Sequence, residues 1–261
     1  MGNKTESSLK DLVETLVSVI EERDPYMKGH AERVATNCVL FSRKLGLAEE
    51  EINRIYLAGL LHDIGTIYIP IEITQKSGEL TEDETDMIKK HPLISEKIVS
   101  KHDMLKGTLP IIRHHHEAVD GSGYPDGLKG NSIPIEAMIL SLVDEYDSMT
   151  NASAKKPAMS MEDALTEIKN EAGLRFDTEV AGEFIKFMQS TKHASKNIEK
   201  KEEVKEREKT EEKEVKKEGG TVNVVIQKIV DRFTKNDIDL PILPKVIQDI
   251  QKIINQTATT V

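Results

Sequence analysis

Apolar residues recur three and four positions apart through most of residues 1–191 of this 261-residue chain, the spacing of amphipathic helices. In "SLKDLVETLVSVIEE" Leu9, Leu12, Val13, Leu16 and Ile20 share one face, and Ser8 with Asp11 three positions on marks a helix start. "AERVATNCVLFSRKLG" carries the pattern on to Gly46, and "EEEINRIYLAGLLHDIG" predicts a third helix ending at Gly65. "LTEDETDMIKKHP" opens on a capping box, Thr81 with Glu84, and stops before Pro92, which puts His91 at that helix's C-terminal end. Further helices are expected after Pro134 in "GNSIPIEAMILSLVDEYDSMT", and over "SMEDALTEIKNEAG" and "TEVAGEFIKFMQS". Strand-like alternation is nearly absent, since "TIYIPIEI" is short and broken by Pro70. The expected fold class is all-α, with one helical domain over residues 1–191.

The pattern then changes twice. Residues 192–220 are expected to be a charged linker, because within "EKKEEVKEREKTEEKEVKKE" only Val204, Thr210 and Val215 are uncharged. Such a stretch cannot offset its ordering entropy by burial. Residues 221–261 regain helical periodicity, with Val246, Ile247, Ile250, Ile253 and Ile254 on one face. Two short helices are too few for a core of their own. They are expected to dock, to pair with a copy or a protein partner, or to begin a further domain; "LPILPKVIQDIQKIIN" resembles the opening of an HDOD domain.

Composition narrows the function classes. A net charge of −10 disfavours nonspecific binding to DNA or RNA duplexes. The single cysteine, Cys38, excludes a disulfide framework and fits a reducing compartment. No run of about 18 apolar residues is present, so no membrane span is expected. The N-terminus lacks a signal pattern, and Glu6 stands where a lipidation site wants Ser or Thr. The expected location is cytoplasmic.

The candidate chemistry lies in three separated pieces. "LLHDIG" ends an apolar run with His62 and Asp63; "IIRHHHEAVDGSGYPDGL" follows His91 and sets His114, His115 and His116 in a row; Asp144 closes the apolar run "MILSLV". Neighbours on a helix diverge by about 100°, but at a helix end His62 and Asp63 can turn to one point. His62, Asp63, His91, His115, His116 and Asp144 thus offer six nitrogen and carboxylate donors, all expected at helix ends. Six such donors suit two divalent ions sharing a bridging carboxylate and a bridging water, a pair that activates water against a phosphate. Iron or manganese is favoured and zinc is compatible, with no thiolate in the set. An isolated His-Asp pair is common by chance; the ordered combination within one helical domain is what makes the signal specific.

"LLHDIG", "HPLISEKIV", "HHHEAVDGSGYPDGLKGNSIP" and "LVDEYDSMT", read together, resemble the HD-GYP family, bacterial phosphodiesterases of the HD superfamily that cleave cyclic di-GMP. "ERDPYMKGHAERVA", with His30 and Arg33, is similar to the family's opening motif, and "GLRFDTEVAGEFI" to its closing helix. The resemblance spans roughly residues 10–190. It implies an HD-superfamily helical bundle, the same six metal ligands with Asp63 bridging, and His62, Asp63 and His30 in the chemistry. It also implies a substrate-binding turn of Gly121, Gly123, Tyr124 and Pro125, where glycines admit close backbone approach. Tyr26 stands where some members carry a third-metal glutamate, so two ions are expected.

Two departures bear on turnover. Thr66 replaces the lysine that usually ends "HDIGK", and "NASAKKPAMS" replaces an arginine-containing run, with Lys155 or Lys156 as candidate substitutes. A lysine does not grip phosphate in the bidentate manner of an arginine. The expected activity is hydrolysis of cyclic di-GMP or a related cyclic dinucleotide at a dinuclear centre. The alternative is a degenerate domain that binds the nucleotide as a sensor or scaffold. A phosphohydrolase for another nucleotide is a third option.

Overall fold

The computed structural model describes residues 2–153 and 156–191, with backbone alone for residues 2–11. The expected linker over 192–220 and helical segment over 221–261 lie outside the described residues, as does Lys155. Among the described residues ten α-helices follow one another: α1 (Gly2–Arg23), α2 (His30–Leu45), α3 (Glu49–Leu61), α4 (Ile71–Thr74), α5 (Glu82–Ile88), α6 (His91–Val99), α7 (Leu109–His114), α8 (Ile135–Thr150), α9 (Met161–Asn170) and α10 (residues 178–191). Short 3₁₀ turns join several of them, and no strand forms among the described residues beyond an isolated bridge between Ala172 and Phe176. The all-α expectation holds. No helix among them is long and apolar enough to cross a membrane.

The core forms where the apolar faces of α2, α3, α7, α8 and α10 meet. Phe41 of α2 and Phe184 of α10 pack edge to face at 5.1 Å between centroids, and Tyr146 of α8 meets Phe184 at 5.5 Å. Ile55, Leu61, Ile112, Leu140 and Leu142 are fully buried beside them. Removing any of these large side chains costs roughly 2–5 kcal/mol through lost burial and the cavity left behind. The rigid floor beneath the donor residues is built this way.

Several helix ends differ from their sequence expectation, and each has a local cause. α1 begins at Gly2 rather than at Ser8, because a serine inside a helix is only weakly unfavourable and does not stop a helix that can extend. α2 does end at Gly46, whose φ of 79° suits glycine. α3 ends at Leu61, four residues before Gly65, and the chain tightens into a 3₁₀ turn over Ile64–Tyr68. "TIYIPIEI" lies in that turn and in α4, not in a strand. The capping box at Thr81 and Glu84 is present, but α5 stops at Ile88. His91 therefore opens α6 instead of closing α5, with Pro92 in the first turn, where its missing N–H costs nothing. Gly65 is dictated by packing: a β-carbon there would meet the His91 carbonyl oxygen at 2.3 Å. That close approach brings the His62–Asp63 turn onto the start of α6.

Candidate metal centre

Three of the expected donors are histidines oriented by one device. His62, His91 and His115 each set ring Nδ1 against the carbonyl three residues earlier: Gly59 at 2.8 Å, Ile88 at 2.8 Å and Ile112 at 2.6 Å. Those carbonyls belong to the last turns of α3, α5 and α7, where the helix leaves them without an internal partner. A carbonyl can only accept, so each Nδ1 carries a hydrogen and each Nε2 is turned toward the cluster. Asp63 follows His62 at φ −99° and ψ 5°, the bridge region, which turns two sequence neighbours toward one point. His62 Nε2 and Asp63 Oδ2 are 3.4 Å apart. Asp144, expected at a helix end, instead sits within α8, where the otherwise apolar inner face holds it buried.

All six expected donors converge. His91, His115 and His116 place their donor atoms within 4.8 Å of one another, and so do His30, His62 and Asp144. Asp63 lies between the two triads: Oδ1 is 3.1 Å from His91 Nε2, while Oδ2 is 3.4 Å from His62 Nε2 and 3.8 Å from His30 Nε2. His30 thus joins the second triad, with Nε2 3.2 Å from Asp144 Oδ1. Its other nitrogen is 2.8 Å from Asp147 Oδ2, and Arg33 grips that carboxylate with two bonds of 2.8 and 2.9 Å.

The donor set fits a pair of cations. His91 Nε2 and His115 Nε2 face each other at 3.3 Å, and with both Nδ1 atoms given to carbonyls, neutral rings set two acceptors face to face. Two lone pairs at that distance call for something positive between them. His62 Nε2 is fully buried with no hydrogen-bond partner, a costly orphan unless an ion takes it.

Electrostatics divides the cluster the same way. Burial disfavours a charged His30, but its hydrogen bonds to Asp144 and Asp147 win and raise it to about 9. Burial likewise opposes charge on His62, and Asp63 and Asp144 overcome it. Asp63 and Asp144, which burial alone would raise, are held well below the usual carboxylate range by those histidines. On the other side, burial and the neighbouring imidazoles push His115 far down, and burial with His91 lowers His116 to about 3. One triad is negative and attracts protons or metal; the other keeps its lone pairs free.

The turn after the histidines forms the rim. Tyr124 stacks on His116 at 5.0 Å between centroids, and its amide donates to the His116 carbonyl at 3.1 Å. Gly123 packs so tightly that a β-carbon would meet the Ala118 nitrogen at 2.3 Å, and Gly121 has φ 84°. Pro125 follows Tyr124 through a cis peptide bond. Buried Glu117 accepts from the Asp126 and Leu128 amides at 2.7 and 3.0 Å, which fixes the far side of the turn. Arg113 clamps Asp126 with bonds of 2.6 and 2.8 Å and reaches Glu96 of α6 at 2.6 Å.

The expected phosphate-side residues are not gathered in this way. Thr66 turns its hydroxyl back to the Asp63 carbonyl at 2.7 Å, and its own carbonyl accepts from Arg23. Lys156 is exposed, with local bonds to Ser153. Tyr26 is half exposed, and its amide donates to Asp24. Sequence reasoning passed over Asp147, Glu117 and Arg113. Asp147 had a signal, since it falls one turn beyond Asp144 on the same inward face.

An HD domain family profile matches residues 14–180. A cyclic di-GMP phosphodiesterase response regulator of Xanthomonas campestris is 38% identical over 177 residues, covering 67% of this chain and 47% of that protein. A cyclic di-GMP phosphodiesterase of Thermotoga maritima is 36% identical over 183 residues, covering 69% of this chain and 50% of the relative. The chain thus spans about half the length of the curated relatives it matches. Among solved structures, an HDG"Y"P protein from Bdellovibrio bacteriovorus superposes with a TM-score of 0.51 at 20% identity, over 61% of this chain and 51% of that one, a likeness of fold.

Proposed function

The chain belongs to the HD domain family, and from that premise we propose that it is a metal-dependent phosphodiesterase acting on cyclic di-GMP or a related cyclic dinucleotide. One observation carries the proposal: the two oxygens of Asp63 are divided between two donor triads. His91, His115 and His116 would hold one ion, His62 and Asp144 the other, with Asp63 shared, while His30 stands beside the second group. Iron or manganese suits these nitrogen and oxygen donors, and zinc is compatible. When bound, such a pair supplies Lewis acidity and an activated water for attack on a phosphodiester. The relatives named for cyclic di-GMP support the substrate class.

The chain's own residues supply orientation and proton handling. His62, His91 and His115 are aimed by carbonyls, so their Nε2 atoms already face the cluster before any ion loads. His30 is aimed by a carboxylate and suits holding a proton beside the cluster. Burial, then Asp63 and Asp144, push the Tyr124 phenol upward, so it remains a hydrogen-bond donor at the rim. Hydrolysis would form a bond from the water oxygen to phosphorus and break one phosphorus–ester oxygen bond, with the leaving sugar oxygen taking the proton.

A second reading, nucleotide binding with little turnover, is favoured by Thr66, whose hydroxyl is committed to the backbone. One experiment separates the two. The full chain, loaded anaerobically with iron or manganese, is incubated with cyclic di-GMP and the products are resolved by chromatography. Metal-dependent linear product supports hydrolysis; binding without product supports the sensor; neither outcome refutes both.

We also propose that residues 1–191 hold all of the chemistry and that residues 221–261 serve self-association or a protein partner. A chain ending at Ser190 then keeps its helicity and metal, and loss of either refutes that boundary. The substrate class and the buried free Cys38 support a cytoplasmic location.

A further inference from the structure

Most cations around the centre are already committed. Arg33 is bidentate on Asp147, Arg113 on Asp126, and Arg175 binds Glu145 at 2.7 Å. Lys89 differs. It is exposed in the turn between α5 and α6, and among the described residues it has no carboxylate partner. Its ammonium stands 5.9 Å from the centroid of the Tyr124 ring, within cation–π range. That ring stacks on His116. The charge therefore sits at the mouth of the centre, two ring widths from a donor imidazole, on a flexible four-carbon stem.

A cyclic dinucleotide carries two phosphates on opposite sides of one macrocycle. With one phosphate at the donor cluster, the other lies about a nucleoside's width away, toward the rim. We propose that Lys89 holds this second, uncleaved phosphate, and so favours cyclic dinucleotides over substrates with a single phosphodiester. A phosphate is a stronger partner for an ammonium than a phenol ring, so the lysine would leave the Tyr124 face for the ligand. The ring would be uncovered by the same movement. This inference rests on the functional reading above.

The test uses the full metal-loaded chain and two substrates: cyclic di-GMP, with two phosphates, and bis(p-nitrophenyl) phosphate, with one. Lys89→Ala is expected to raise KM for cyclic di-GMP about tenfold more than for the single diester, the effect of losing one charge-assisted contact. Calorimetry with a hydrolysis-resistant phosphorothioate analogue of cyclic di-GMP should show a matching loss of affinity, with metal content unchanged. Lys89→Arg, which keeps the charge, should retain most of the affinity. Equal binding by wild type and Lys89→Ala overturns the inference, and so does an equal loss on both substrates. If wild type cleaves the single diester but neither binds nor cleaves any cyclic dinucleotide, the functional reading fails, and this inference with it.

Discussion

The two halves of the site are held by different physics. On the metal side, His62, His91 and His115 are buried and locked by backbone carbonyls at helix ends, and Asp144 and Asp147 are embedded in α8. On the substrate side, Tyr124 rides on a turn tied down by the partly exposed Arg113, Asp126 and Glu96. Backbone anchoring gives a rigid donor cage that changes little with salt. Charge anchoring gives a rim that can be loosened without disturbing the cage. The comparison teaches that metal loading and substrate affinity should be separable by mutation.

The sharpest way to break that separation is at Asp63, the residue both triads share. Asp63→Ala should remove both ions and lower phosphodiesterase activity by about a thousandfold or more. His116→Ala, which touches one triad, should cost one ion first. Metal analysis of the two variants distinguishes a shared ligand from a merely neighbouring one; equal metal loss in both contradicts the bridging arrangement.

Next in size is Thr66→Lys. On the proposed reading a cation at this turn is expected to meet the reacting phosphate, a contact worth roughly 3 kcal/mol, or about a hundredfold in rate. Turnover should rise while metal content stays fixed. An unchanged rate in an already brisk enzyme would show that the missing lysine is not limiting.

Arg113→Gln probes the rim alone. KM should rise roughly tenfold through a loosened Tyr124, with kcat and metal content nearly kept. Loss of metal instead would mean that the clamp supports the cage through α7 and that the halves are not separable.

The smallest effect is a pH dependence. The Arg113 hydrogen bonds, aided by His114, hold Asp126 at about 2, below its ordinary 3.8. A depressed carboxylate stabilises the fold above its unfolded pKa and loses that contribution as pH falls through the folded value. The melting-temperature gap between wild type and Arg113→Gln should therefore persist from pH 7 to about 4 and close toward pH 2. A gap that stays constant down to pH 2 would remove Asp126 ionisation as its cause.

The convergence of the donor cluster was largely legible in the sequence because its residues travel in short, dense motifs whose residue types have few structural uses. The helix ends around them were less so. His91 looked like the end of α5 because Pro92 usually forbids continuation, yet proline is equally at home in the first turn of a new helix. Asp144 looked terminal because it follows an apolar run, but α8 continues past it, and Asp147 hid among the acids of the same segment. The rim was hardly legible. Arg113 and Asp126 are 13 residues apart across a turn, and only the folded loop brings them to 2.6 Å. Lys89 reads as one of two solvated lysines until Tyr124 folds beneath it.

The proposed dinuclear centre is tested most directly by metal stoichiometry. The full chain, purified anaerobically, is reconstituted with iron or manganese, freed of excess ion, and analysed for bound metal per chain. Two ions are expected in wild type, with both lost in Asp63→Ala. No retained transition metal in folded wild-type protein would contradict the centre outright.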